Sequence, residues 1–372
     1  MMVAGWVALL LALALPAWTT AAQAAQVPPQ HFLALARQGI VAAHNNWWNK
    51  RLGWYDDRLD KSWRPTAPLA YLWSAFPLFE AVDAVALAEP SAANRAVVRG
   101  FANSAERYWN PTLKPVGGYA YYIGTHTPNV HTYFDDNGWW GLAFIDAFRA
   151  TGDRRYLHDA ARAFTFIMRS GWDNHGGGGI WWDTSHDHKT AEPLAAAAFI
   201  GAVIYGATHK SAYLQQVNKL LDWANAHSWN SATHLYSRNA TDNTIMDYVQ
   251  GMMIGADLEL CKATATTAYC QKAEQLGQAS IQAFPSEPDW SSTADGLYLR
   301  FLLDLYRYDG DRQLYDLVYN NALRAISKAR DATTGLYLRS WSGGAPVPAG
   351  LLRTHAGTVA LLAWLAGAPA PH

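Results

Sequence analysis

Two cysteines in 372 residues are too few for a disulfide scaffold. No further Cys or His sits at ligand spacing near them, which argues against a thiolate metal site. Charge is also sparse. Charged residues make up 16% of the chain and the formal net charge is −1. No basic block stands out, so neither nucleic acid nor an anionic membrane is indicated as a partner. Beyond the N-terminus no stretch reads as transmembrane. No segment shows the alternation of a large β-sheet. Two catalytic signatures are missing as well. There is no Gly-x-Ser-x-Gly elbow. The run Gly176–Gly179 lacks a following Lys-Ser or Lys-Thr and a surrounding βαβ pattern, which excludes a P-loop.

What is present is apolar and aromatic. Hydrophobic residues make up 50%, with 18 Trp and 19 Tyr. A substantial core is therefore expected and global disorder is excluded. Several Trp fall in Gly-rich loops, where a flat ring can stack on a sugar face, although core packing is the commoner use of any one of them. The histidines His126, His131, His175, His186 and His188 are scattered along loops. His186 and His188 flank Asp187, but this spacing is not that of a metal site, and a surface loop is expected. No metal and no cofactor are expected.

Residues 1–25 read as a secretory signal. The apolar run from Val7 to Leu15 is too short to span a bilayer comfortably, and Ala22-Gln23-Ala24 fits an A-x-A cleavage site. No Lys or Arg precedes the run, and an uncleaved anchor is the alternative. Export would make Cys261 and Cys270 a local disulfide between helices. The expected localisation is secreted, extracellular or periplasmic, with no membrane association after cleavage.

Residues 26–372 carry no Pro/Gly/Ser linker and read as one domain. Apolar periodicity predicts about twelve helices. Among them are helices over about 92–108, 190–208, 211–227, 247–262, 267–284, 294–309, 311–329 and 353–365. Short and long connections alternate, and the long ones repeat a Trp…Gly-aromatic theme roughly every 55–60 residues, as stacked helical hairpins do. The expected fold is all-α, an (α/α)6 barrel in which the first and last helices pair to close a toroid of six hairpins. An open solenoid is the alternative. If connections alternate, all long loops lie at one end, and six helices begin there.

One such helix opens with Phe134-Asp135-Asp136-Asn137-Gly138-Trp139-Trp140. Acidic residues are ordinary at a helix start, where they cap and oppose the dipole. Paired carboxyl groups are also what glycosidic cleavage uses: one protonates the leaving oxygen, and the other attacks or activates water. With Asp135 at the N-cap and Asp136 at the first helical position, the positive helix end favours an ionised Asp135. The neighbouring charge and apolar walls favour a protonated Asp136. Adjacent residues can hold their carboxyls about 5 Å apart, the separation of a retaining enzyme. The opposite assignment of the two roles is the alternative.

The run Asp135-Asp136-Asn137-Gly138-Trp139-Trp140-Gly141-Leu142-Ala143, followed by Ala150-Thr151-Gly152-Asp153-Arg154-Arg155-Tyr156-Leu157, resembles glycoside hydrolase family 76, the endo-α-1,6-mannanases. Gly177-Gly178-Gly179-Ile180-Trp181-Trp182, Tyr248-Val249-Gln250-Gly251 and Arg300 with its following helix match further motifs. The resemblance covers nearly the whole mature chain and implies an (α/α)6 barrel and a retaining mechanism, with Asp135 as nucleophile and Asp136 as acid/base. It departs at Val249, where the family carries Asn, at Thr190 and Leu194, and at Ala294-Asp295. Asn137, Trp139, Trp181, Trp182, Tyr248 and Gln250 are the expected substrate-binding residues. The implied partner is α-mannan or a mannose-containing oligosaccharide, and the expected state is a monomer. Rival readings are a transglycosylase or hydrolase for another α-linked glycan, a non-catalytic glycan-binding toroid, and another toroid enzyme such as an epimerase or unsaturated-uronide hydrolase.

Overall fold

The computed structural model describes residues 26–285, 291–347 and 349–371. The expected signal segment lies outside them. Twelve α-helices are found among the described residues: α1 (Pro29–Trp47), α2 (Leu72–Ala88), α3 (Ala92–Ala105), α4 (Phe134–Thr151), α5 (Arg154–Phe166), α6 (Ala191–Thr208), α7 (Ser211–His227), α8 (Asp247–Thr264), α9 (Thr267–Ala283), α10 (Ser292–Asp309), α11 (Arg312–Arg324) and α12 (Leu352–Ala366). The even-numbered helices pack on one another as an inner ring, α12 against α2 included, and α1 packs on α12. The fold is an (α/α)6 barrel, closed as expected.

Composition decides which helix is inner. In α6 every residue from Ala191 to Ile204 is buried, whereas its outer partner α7 buries only Val217, Leu220, Leu221 and Ala224. A helix surrounded by neighbours is apolar all round, and one facing water shows a single stripe. Helix α6 is therefore long and apolar enough to cross a membrane by composition, yet 78% of that stretch is buried inside the barrel. Small residues let the inner helices approach. A Cβ added at Gly138 of α4 would stand 2.4 Å from the Ala196 Cβ of α6.

The repeated Trp theme is a hairpin. Trp48–Asn49 (β1) pairs with Trp54–Tyr55 (β2), Trp109–Asn110 (β3) with Gly118–Tyr119 (β4), and Trp229–Asn230 (β5) with Leu235–Tyr236 (β6), each antiparallel with Trp opposite Tyr. The Asn turns the chain each time. Its side-chain oxygen accepts from Leu52 N at 3.1 Å, Thr112 N at 3.0 Å and Ala232 N at 2.9 Å, respectively. These are Asx turns, for which Asn is suited.

The disulfide Cys261–Cys270 joins α8 to α9. Deep in the barrel, Arg300 of α10 is buried against Asp146 of α4 and Glu80 of α2, with Nη2 donating to Asp146 Oδ1 at 3.0 Å. This ion cluster accounts for the Arg300 motif as a tie between three inner helices.

Candidate active site

The inner helices all begin at the long-loop end. The second residue of each is, in order, Trp73, Asp135, Glu192, Tyr248, Thr293 and Arg353. Four of these six line one cavity of about 700 Å³: Trp73, Asp135, Tyr248 and Arg353. Asp136, Trp139 and Trp182 share it, and Tyr71, Tyr121 and Tyr133 complete an aromatic wall. Such a surface matches the flat, half-apolar face of a pyranose ring.

The N-cap of α4 is Tyr133, with no side-chain cap bond, which corrects the expected register. Asp135 and Asp136 are the second and third helical residues. Both still lie in the first turn, where free N–H groups and the dipole favour negative charge.

Asp135 is held by two donors. The Trp182 indole Nε1 donates to Oδ2 at 3.1 Å, and the Asp136 backbone N donates to Oδ1 at 2.9 Å. Burial raises its pKa to about 7; the Trp182 and backbone hydrogen bonds pull it down, and the charge of Glu192 pushes it up. Asp136 lies well above the ordinary carboxylate range, through burial first and the Asp135 charge second. Among the described residues only Asp135 of the two accepts a hydrogen bond from a donor, so the pair loses its first proton from Asp135. The arrangement presents one carboxylate and one carboxylic acid, side by side, to the same cavity. Glu192 is itself tied to Arg238, whose Nε donates to Oε1 at 3.0 Å.

Not all expected contact residues reach the cavity. Trp139, Trp182 and Tyr248 line it, with Trp139 packed between Trp73 and Tyr248. Asn137 and Gln250 do not. Asn137 is fully buried, accepting from Tyr119 N at 2.8 Å and donating to Tyr119 O and Tyr133 O at 3.0 Å. Gln250 repeats this, accepting from Tyr236 N at 2.9 Å and donating to Tyr236 O at 2.9 Å and Met246 O at 3.0 Å. His355 makes a third instance, its Nδ1 accepting from Tyr337 N at 3.1 Å. Each is the fourth residue of its inner helix, and each pins the preceding loop by the backbone of a Tyr. Their hydrogen-bonding capacity is committed to the fold.

Trp181 lies outside the cavity lining, stacked on His186 with Lys189 4.9 Å above its ring. Side chains alternate along an extended segment, so Trp182 faces the site and Trp181 turns away. The glycine run serves packing. Gly177, Gly178 and Gly179 take φ of 85°, 84° and 86°, and a Cβ at Gly179 would strike Trp223 of α7 at 2.5 Å. Among the described residues no group of three or more His, Cys, Asp or Glu side chains is placed to hold a metal.

Trp73, Tyr71, Tyr121, Tyr133 and Arg353, not singled out from the sequence, line the cavity, as does His131, which was expected only on a loop. The recurring second position of the inner helices is the signal that would have found Trp73 and Arg353.

A carboxyl pair beneath aromatic walls, at the loop end of an (α/α)6 barrel, defines a carbohydrate-cleft protein of the toroid class. The model of the family described as Glycosyl hydrolase family 76 matches residues 33–294. The chain belongs to this family and is a glycoside hydrolase by that membership. No curated protein sequence matches it. Among solved structures, the fold is similar to the family 76 mannosidase Bt3792 of Bacteroides thetaiotaomicron VPI-5482 (TM-score 0.80, 19% identity, 91% of this chain and 98% of that one). It is also similar to the GH76A α-1,6-mannanase of Salegentibacter sp. HEL1_6 (TM-score 0.72, 19% identity, 90% and 99%). An inactive variant of the latter, with two consecutive aspartates changed to asparagine, is in complex with α-1,6-mannotriose (TM-score 0.72, 18% identity, 90% and 99%).

Proposed function

We propose that the protein is a retaining, endo-acting α-1,6-mannanase in which Asp135 is the nucleophile and Asp136 the acid/base. The observation that carries this reading is the asymmetry of the pair: Trp182 and a backbone amide donate to Asp135, while burial keeps Asp136 protonated. Asp135 attacks the anomeric carbon as Asp136 gives its proton to the glycosidic oxygen. Asp136, now a carboxylate, takes a proton from water, which attacks the anomeric carbon and releases Asp135. Trp73, Trp139, Trp182 and Tyr248 supply the apolar faces on which mannose rings stack.

Mannan as substrate draws support from the α-1,6-mannanase and its α-1,6-mannotriose complex among the structural neighbours. Export, with the first 25 residues removed, draws support from the Cys261–Cys270 disulfide, a bond of oxidising compartments.

The test is incubation of the mature protein with unbranched α-1,6-mannan, followed by NMR of the newly formed reducing ends. Short oligosaccharides whose first-formed anomer is α are expected. First-formed β-anomers would overturn retention, and free mannose as the sole product would overturn endo action.

A further inference from the structure

Arg353 lines the same cavity as the two aspartates, and the hydrolysis described above makes no use of it. Its placement is unfavourable for the fold on three counts. A cation in the first turn of α12 opposes the positive end of the helix dipole. Burial pulls its pKa below the ordinary arginine value, with the charge of Asp57 working against that shift and the charge of Arg58 with it. Among the described residues its guanidinium makes no hydrogen bond and no ion pair. Asp57, the acid whose charge reaches it, gives Oδ2 to Arg58 Nε at 3.5 Å. Among the described residues Arg353 therefore has no carboxylate partner of its own.

Position around the ring says what that charge can meet. Helix α12 packs on α2, and α2 on α4, so one inner helix separates Arg353 from Asp135. With neighbouring helix axes 8–10 Å apart, the two backbone positions stand roughly 15 Å apart. A group bound by the guanidinium belongs to a sugar beside the one being cleaved.

Neutral sugar hydroxyls are served by neutral donors at a smaller desolvation cost. A partly buried, unpaired guanidinium is favoured when its ligand brings the missing charge, and its planar fork matches phosphate and carboxylate oxygens in pairs. We propose that Arg353 binds an anionic substituent, a phosphate ester or a carboxylate, on a glycan unit next to the cleaved mannose. This rests on the mannanase reading for the scissile bond and adds a charged class of substrate to it.

The experiment is calorimetric titration of the full protein with three ligands: α-1,6-mannotriose, the same trisaccharide with one phosphate monoester, and the same with one uronate carboxylate. Wild type, Arg353→Gln and Arg353→Lys are compared, with circular dichroism as the check on folding. The expected result is that at least one anionic ligand binds wild type about tenfold or more tighter than the neutral one. That preference disappears in Arg353→Gln, persists in part in Arg353→Lys, and shrinks in wild type between about 50 mM and about 500 mM NaCl. Which anionic ligand gains identifies the substituent. Equal affinity of wild type for all three ligands would overturn the proposal, as would an equal loss for neutral and anionic ligands in Arg353→Gln. Should Arg353→Gln not fold, the salt dependence in wild type decides alone. An anion preference without cleavage of any α-1,6-linkage would sink the mannanase reading and leave the anion site standing.

Discussion

The indole Nε1 of Trp182 donates to Asp135 Oδ2 at 3.1 Å, so a loop aromatic and a helix-borne acid form one unit. The bond favours the carboxylate and works against burial, which pushes the Asp135 pKa up to about 7. Replacement by Phe keeps a ring and removes the donor. A hydrogen bond to a charged group is worth about 1.5–3 kcal/mol, which corresponds to about 1–2 pH units. In Trp182→Phe the acidic limb of the pH profile of kcat/KM is expected to move up by that amount, since Asp135 must be ionised to attack. An unmoved limb with a raised KM would make Trp182 a sugar platform only.

The two aspartates are expected to respond differently to leaving-group chemistry. Asp136→Asn lowers kcat/KM on mannan by about 10²–10⁴-fold. It loses far less on an aryl α-mannoside whose leaving group needs no proton. Asp135→Asn loses activity on both substrates. Steady-state kinetics with the two substrates checks this, and the reverse pattern would exchange the roles.

Asn137 is buried and pins Tyr119, and Asn137→Ala strands the Tyr119 amide and carbonyl, while Tyr133 O keeps the backbone N–H of residue 137. The expected cost is about 2–4 kcal/mol of stability, read as a fall in Tm of roughly 3–5 °C. The KM of the fraction that remains folded should stay near that of the wild type. A raised KM with an unchanged Tm would return Asn137 to the substrate site.

Stability is expected to fall as pH rises. Burial raises the Asp257 pKa to about 7, with Lys272 opposing the shift. A group whose folded pKa is raised contributes stability that is present below its unfolded pKa of about 4 and lost as pH rises through its folded value. Glu80, raised to about 8 chiefly by burial, acts in the same sense. Melting curves between about pH 5 and about pH 8 should show a falling Tm, and Asp257→Asn should flatten the slope. An unchanged slope in the variant would remove Asp257 from the account.

The fold was legible because its two helix types differ in composition and its hairpins repeat. Helix α7 spans Ser211–His227 as expected, since it has one clean apolar stripe and a break before it. Helix α1 runs Pro29–Trp47 and opens on a Pro, which is accepted in a first turn. The acid pair was legible because two adjacent carboxyls before an apolar helix are conspicuous. Asn137 and Gln250 were misread because they adjoin the cleft-facing residues, whereas the turn of the helix aims a fourth residue back at the incoming loop. Their recurrence with His355, 14 to 18 residues after a Tyr, is visible only once the helix starts are fixed. Arg353 escaped notice because its signal is positional, second in its inner helix like Asp135, and shows only once the helix starts are fixed and closure of the ring brings α12 to the cavity.

The most direct test is covalent trapping. The protein is incubated with a 2-fluoro-α-mannosyl donor carrying a good leaving group, digested with a protease, and the labelled residue is identified by mass spectrometry. A single fluoromannosyl ester on Asp135 is expected. A label on Asp136, or no label from a donor that is nonetheless turned over, would contradict it.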